Sequence, residues 1–278
     1  MAFTASVTQR AVAHELAQAR EDLGLSIRDV AGRTTWHNSK VSRIESARTK
    51  ANATDLAKLG EIYEVDGATV ARWIEMAQDD ISGAWWQRYE RWLTASFVEF
   101  LTYESEAVRA WSVQHSFIPG LLQTSDYIRS LHTVGPLRDP GRNDAEYAVR
   151  MRRQRRLHEP EPLIYHALLA ESALHWQFGS RKILHDQLIH LRDLSRLGNV
   201  HIRVVPFARP AIIYPTDFFE LPRSGSIAFG EASWGTPMYD DPLDLAEARR
   251  EIERVQAAAL TEEETHQLLE QRIRETSE

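Results

Sequence analysis

The chain has 278 residues, a formal net charge of −7 and 26% charged residues, a composition that suits one large or two moderate folded domains. It has no cysteine, which excludes a disulfide framework, a thiolate nucleophile and a Cys-based zinc site. No apolar run approaches the roughly 18 residues of a membrane span, and the first residues lack a signal-peptide pattern, so cytoplasmic residence is the expectation.

Val12, Leu16, Ala19 and Leu23 recur at helical spacing and predict a first helix with one buried stripe, ended by Gly24. Ser26 with Asp29 predicts the capping pair of a second helix carrying Ile27, Val30 and Ala31. A turn at residues 34–36 leads to a third helix starting near His37 or Asn38, with Val41 and Ile44 inward and Asn38, Ser39, Lys40, Ser42 and Arg43 outward. Thr54 is expected to cap a fourth helix striped by Leu56, Leu59, Ile62 and Tyr63. A fifth helix over 68–77 closes the set with Val70, Trp73 and Ile74. Two short helices joined by a tight turn, the second polar and basic on one side, are how a small helical domain reads the major groove. The acidic net charge argues against coating nucleic acid by bulk attraction, but binding depends on local patches. Between Gly24 and Lys50 lie Arg28, Arg33, Lys40, Arg43, Arg48 and Lys50 against Asp29 and Glu45 alone.

This segment resembles the lambda-repressor/Cro-like helix-turn-helix domain of the xenobiotic-response-element family over roughly residues 9–78. The resemblance is carried by Leu25-Ser26, Val30-Ala31 and Ser39-Lys40-Val41-Ser42-Arg43-Ile44-Glu45. It implies that Asn38, Ser39 and Arg43 meet base edges, chemistry that suits Asn on adenine and Arg on guanine. Arg28, Lys40, Ser42, Arg48 and Lys50 are then expected on the DNA backbone. The resemblance also implies a structural pair between Arg20 and Glu45. Thr35 stands where the family's turn carries glycine, and a β-branched residue is poor at positive φ, so a differently shaped turn is expected. Ile27 replaces a polar residue that touches phosphate.

A boundary near Asp80–Gly83 divides an all-α domain of five helices, residues 1–80, from a second domain, residues 81–278. Trp85 and Trp86 are expected in a core, followed by a helix carrying Trp92, Phe97 and Phe100. A strand over 108–113 precedes a turn at Ile118-Pro119-Gly120 and a helix over 121–131. A strongly basic helix spans 146–158, with Arg150, Arg152, Arg153, Arg155 and Arg156. A buried strand over 163–170 leads to Glu171 and a short helix, then a helix over 183–197. Val200, Ile202 and Val204 alternate with His201 and Arg203 as in a half-buried strand. Residues 218–221 and 227–229 flank a turn at Arg223-Ser224-Gly225, and helices follow over 243–260 and 261–274. The sum is an α+β domain whose mixed or antiparallel sheet is covered by helices.

Ile118-Pro119-Gly120-Leu121-Leu122-Gln123-Thr124, Arg150-Met151-Arg152-Arg153-Gln154, Glu171 with Leu174, Gln187-Leu188 and Val204-Val205-Pro206-Phe207 make this portion similar to the C-terminal domain of actinobacterial WhiJ-type regulators. That resemblance, from about Trp85 to Leu269, implies a regulator whose large domain senses or binds something. It also implies a small partner protein encoded nearby, in a toxin–antitoxin-like arrangement.

Glu171 and His175, with His166 or His201, are weighed as metal ligands and declined because no diagnostic spacing supports them. No nucleophile elbow or phosphate-cradling glycine loop is present, so no catalytic residue, metal or cofactor is expected. Arg150, Arg152 and Arg153 are candidates for an acidic partner or a second DNA contact, set against a solvated helix face paired with the acidic C-terminal segments. The expectation is a non-enzymatic, sequence-specific regulator that binds double-stranded DNA as a homodimer, since single helix-turn-helix units usually read paired half-sites. The alternative is an antitoxin-like protein that neutralises a small neighbour and uses DNA binding for autoregulation.

Overall fold

The computed structural model describes residues 7–78, 85–134, 139–209, 211–222, 225–231 and 236–277. The chain forms two compact units, residues 1–85 and 86–278; the boundary expected at Asp80–Gly83 lies outside the described residues. Among those residues no helix is long and apolar enough to cross a membrane.

The first unit holds α1 (Val7–Asp22), α2 (Ile27–Gly32), α3 (Asn38–Glu45), α4 (Ala53–Ile62) and α5 (Gly67–Gln78). One face of each helix supplies its core: Val12 and Leu16, Val30, Val41 and Ile44, Leu56 and Leu59, and Trp73. Gly24 takes φ +66°, a conformation that costs an L side chain, and stops α1 before the apolar stripe is complete. Leu23 therefore stands outside the helix and is 41% exposed, contrary to its expected burial. Ser26 and Asp29 form the reciprocal capping box at the start of α2. Asn52, not Thr54, caps α4, its side-chain oxygen accepting from the Asp55 amide at 2.8 Å, because the helix begins at Ala53. Gly60 lets α4 and α5 approach closely: a Cβ there would lie 2.3 Å from Val70 Cγ2.

The turn between α2 and α3 is built without positive φ at Thr35; among the described non-glycine residues only Ala47 and Glu64 take it. Thr34 does the work of shaping it. Its hydroxyl donates to the Ala31 carbonyl at 3.1 Å and accepts from the Trp36 amide at 3.2 Å. A side chain thus satisfies backbone groups that a left-handed glycine would otherwise present to the helix end.

The second unit is a six-stranded mixed sheet with helices. Its strands are β1 (Arg109–Gln114), β2 (Ile164–Ala170), β3 (Val200–Val205), β4 (Thr216–Leu221), β5 (Gly225–Gly230) and β6 (Met238–Tyr239). They lie in the order β3-β2-β1-β4-β5-β6. β1, β2 and β3 are parallel, while β4, β5 and β6 add antiparallel. The parallel pairs are joined through helices, as such crossovers require. The helices are α6 (Ala95–Glu106), α7 (Ser125–Val134), α8 (Pro140–Arg153), α9 (Arg181–Leu194), α10 (Pro242–Ala258) and α11 (Glu262–Thr276). Arg223 and Ser224 of the expected hairpin turn lie outside the described residues. Trp86 is fully buried and Trp85 half-buried.

Successive strand residues point to opposite faces. On one face Val113, Leu168, Phe218 and Ala228 meet Ile252 and Val255 of α10. On the other, Phe219 and Phe229 pack edge-on against Phe100 of α6. The basic helix starts at Pro140, earlier than expected, with Asp139 as its cap, and its last part, Gln154–Leu157, is a 3₁₀ turn.

Candidate nucleic-acid interface and the cavity of the second unit

Burial of Val41 and Ile44 fixes the rotation of α3. Asn38, Ser39, Ser42 and Arg43 are left exposed along one side, as i, i+3 and i+4 positions share a helix face. Arg43 Nε donates to the Ser39 carbonyl at 3.1 Å, which holds its guanidinium along α3. No side chain caps α3 at His37, and of its first-turn amides that of Lys40 turns back to the His37 carbonyl at 2.9 Å. Beyond α3, the Arg48 and Thr49 amides return to the Arg43 carbonyl at 2.8 and 3.2 Å. That loop is anchored to the end of the helix, with Arg48 and Lys50 exposed, as Arg28 is on α2.

The acidic groups of this region face other tasks. Asp29 is consumed by the α2 cap, where bonds from the Ser26 hydroxyl and amide hold its carboxyl below the usual range. Glu45 accepts from Arg20 Nε at 2.9 Å and from the Tyr63 hydroxyl at 2.6 Å. Burial and that carboxylate push the Tyr63 hydroxyl far above its usual pKa. Asp29 stays an exposed carboxylate, but Arg28, Arg33, Arg43, Arg48 and Lys50 are exposed as well, so the net exposed charge around α3 is basic. Lys40 differs from the rest of the set: its ammonium pairs with Asp55 at 2.6 Å and sits 3.9 Å over the Trp36 ring. It ties α3 to α4 and the turn, a structural employment that its sequence position did not reveal.

In the second unit, the arginines of α8 are not one solvated face. Arg153 is 8% exposed, and its Nε donates to Glu104 of α6 at 2.7 Å. This corrects both readings of Arg153, the surface contact and the pairing with the C-terminal segments, since the α8 rotation that buries Ala145 and Val149 also buries it. Arg156 bonds the Ala107 carbonyl at 2.8 Å and Glu159 at 2.9 Å. Arg150 borders a cavity, and Arg152 is half-buried.

That cavity has a volume of about 360 Å³, within the roughly 300–1,000 Å³ of small-molecule sites. Its floor is the Phe219 face of the sheet, through Ser112 and Gln114 of β1, Tyr165 of β2 and Asp217 of β4. Ser112 and Asp217 are directly paired across the strands, and the serine hydroxyl bonds the carboxyl. Burial of Asp217 pushes its pKa up to about 7; Glu231 adds to the rise, and Ser112 and Arg153 oppose it. None of these floor residues stood out in the sequence, because a carboxylate within an apolar strand is informative only once the strand's inward face is known.

Among the described residues no three His, Asp or Glu side chains gather as metal ligands would. Glu171 faces His175 at 3.6 Å and accepts from the Phe207 amide at 2.7 Å. His166 is stacked instead between Trp111 and His201, with ring centres at 5.0 and 4.6 Å.

Residues 97–271 match the model of a family described as a domain of unknown function, DUF5753. Residues 11–73 match that of a helix-turn-helix domain. No curated protein and no solved structure gives a match.

Proposed function

We propose that this chain, which belongs to the DUF5753 family, is a cytoplasmic, sequence-specific DNA-binding transcriptional regulator. It acts as a homodimer, and its second unit adjusts DNA occupancy in response to a ligand or a small partner protein. The helix-turn-helix match supports the DNA-binding part. The observation that carries the reading is the charge arrangement around α3. Its acidic neighbours are bonded to Ser26, Arg20 and Tyr63, while Arg28, Arg43, Arg48 and Lys50 stay exposed. Asn38, Ser39 and Arg43 would read bases, and Arg28, Ser42, Arg48 and Lys50 would hold phosphates. Lys40 would reach a phosphate only by giving up its pair with Asp55.

The test is anisotropy of the full chain on the DNA upstream of its own gene and on a scrambled duplex, at two salt concentrations. Specific, salt-sensitive binding to the upstream duplex is expected; equal affinity for both duplexes would overturn the reading. Adding the product of a neighbouring small gene extends the test. A partner that binds the chain without changing its DNA occupancy would favour the antitoxin-like function.

A further inference from the structure

The cavity of the second unit is lined by acceptors, and two of its three guanidiniums are held by carboxylates. Arg153 is held by Glu104 and Arg142 by Glu146, the latter at 2.9 Å. Arg150 lies close enough to lower the pKa of Glu231. Among the lining residues the carboxyls of Glu146, Asp217 and Glu231 equal the guanidiniums of Arg142, Arg150 and Arg153 in number. Two buried side chains add unanswered acceptors. Gln114 and Gln123 are 3% and 2% exposed, both border the cavity, and neither Oε1 has a hydrogen-bond partner. The Gln123 amide nitrogen is already spent on the Ile118 carbonyl at 2.6 Å. The Gln114 side chain bonds Glu231, an exposed residue at the rim. A buried acceptor left without a donor is costly, and an ammonium supplies three donors.

The remaining wall is apolar. Phe97 and Phe100 stack with ring centres 5.7 Å apart, and Trp92, Leu93 and Phe117 continue the surface. The Arg153 guanidinium already lies 5.7 and 5.0 Å from the Phe97 and Phe100 ring centres, so these rings offer a ligand an apolar surface for a flat body.

We propose that this cavity binds a small organic amine, its ammonium held between Asp217 and Glu231 beside Gln114, and its apolar or aromatic body against Phe97, Phe100 and Trp92. As the effector site of a DNA-binding regulator, the proposal rests on the function proposed above. As a binding site it does not, and the two are separated by measuring ligand binding without DNA.

Asp217 is faced by Ser112 on β1, Tyr165 on β2, Arg153 on α8, Glu104 on α6 and Glu231. With its pKa near 7, part of the population is protonated at neutral pH. Docking an ammonium beside it favours the carboxylate, so binding at pH 7 releases protons.

The experiment is calorimetric titration of the full chain with 2-phenylethylamine, the neutral 2-phenylethanol and the anionic phenylacetate, at pH 7 in two buffers of different ionisation enthalpy. The amine is expected to bind at least about tenfold tighter than the alcohol and to release protons, with phenylacetate weakest. Asp217→Asn and Glu231→Gln should each weaken amine binding about tenfold or more, with circular dichroism unchanged from the parent chain. Equal binding of amine and alcohol, tighter binding of phenylacetate, absence of amine binding, or a full-affinity Asp217→Asn would each overturn the proposal. If the amine binds as expected but leaves anisotropy on the upstream DNA unchanged, the site stands and its role as an effector site fails.

Discussion

Arg20 of α1 and Glu45 at the end of α3 are joined at two points, Nε lying 3.1 and 2.9 Å from the carboxylate oxygens. Their side chains are 11% and 5% exposed. The same guanidinium donates to the Leu25 carbonyl at 2.9 Å, and the same carboxylate accepts from Tyr63, the residue that ends α4. One ion pair therefore connects α1, the loop before α2, the recognition helix and α4. Charge-assisted bonds of this kind are directional, so the pair orients α3 as well as attaching it.

Glu45→Ala should leave the buried Tyr63 hydroxyl without its acceptor and the Arg20 guanidinium with the exposed Glu21 carboxylate and the Leu25 carbonyl. Because Arg20 keeps a second carboxylate, the expected cost is that of the unsatisfied buried group, about 1–3 kcal/mol, a large share of a domain's stability. Denaturant unfolding of the full chain should show loss of stability in the helical unit first. Unaltered unfolding would mean that the apolar core alone sets the position of α3.

Arg43→Ala and Lys40→Ala should separate recognition from scaffolding. Arg43→Ala is expected to cost about 1–3 kcal/mol of DNA binding and to relax preference at one base position. Lys40→Ala frees Asp55 and the Trp36 ring, so its main expected effect is on thermal stability. A uniform affinity loss on every sequence for Arg43→Ala would reassign that side chain to phosphate.

Arg28→Ala, Arg48→Ala and Lys50→Ala should each reduce the slope of log K against log salt by about 0.9 if each neutralises one phosphate. Arg153→Met is the informative contrast. Its partner is the buried Glu104, so it should destabilise the second unit by about 3–5 kcal/mol and leave the salt slope of the folded protein alone. A flattened slope in Arg153→Met would contradict the burial of that residue.

His166 supplies a pH dependence. Burial first, then His201 and Arg109, push its pKa down to about 4, against weaker support from Glu262 and Glu220. Its unfolded value is about 6.5. Between those values the unfolded chain binds more protons than the native one, so stability falls as pH drops through this window. His166→Phe should flatten that part of the stability profile while keeping a ring between Trp111 and His201. A profile with the same slope in the variant would place the proton uptake elsewhere.

The helices of the first unit were legible because their apolar positions repeat with helical period and their ends carry local signals, Ser26 with Asp29 and Gly24. Asn52 and Thr54 are both residue types that cap a helix, and only the backbone register chooses Asn52. In the second unit Val200, Ile202 and Val204 announced a strand by alternation. The two-residue β6 is too short to carry a period. Arg153 looked like its neighbours in a basic run, yet α8 turns it inward onto a carboxylate nearly fifty positions earlier, a distance no local pattern spans.

What the sequence determined by itself was local: where helices begin and end, which faces are apolar, and that a basic recognition helix follows a turn. These depend on propensity, capping and periodicity, all of which act within a few residues. What only the tertiary structure decided was the employment of the charged side chains. Lys40 went to Asp55, Arg153 to Glu104, and Asp217 into a cavity beside Ser112. Each of those outcomes depends on a partner brought close by folding, and on the local polarity that folding creates.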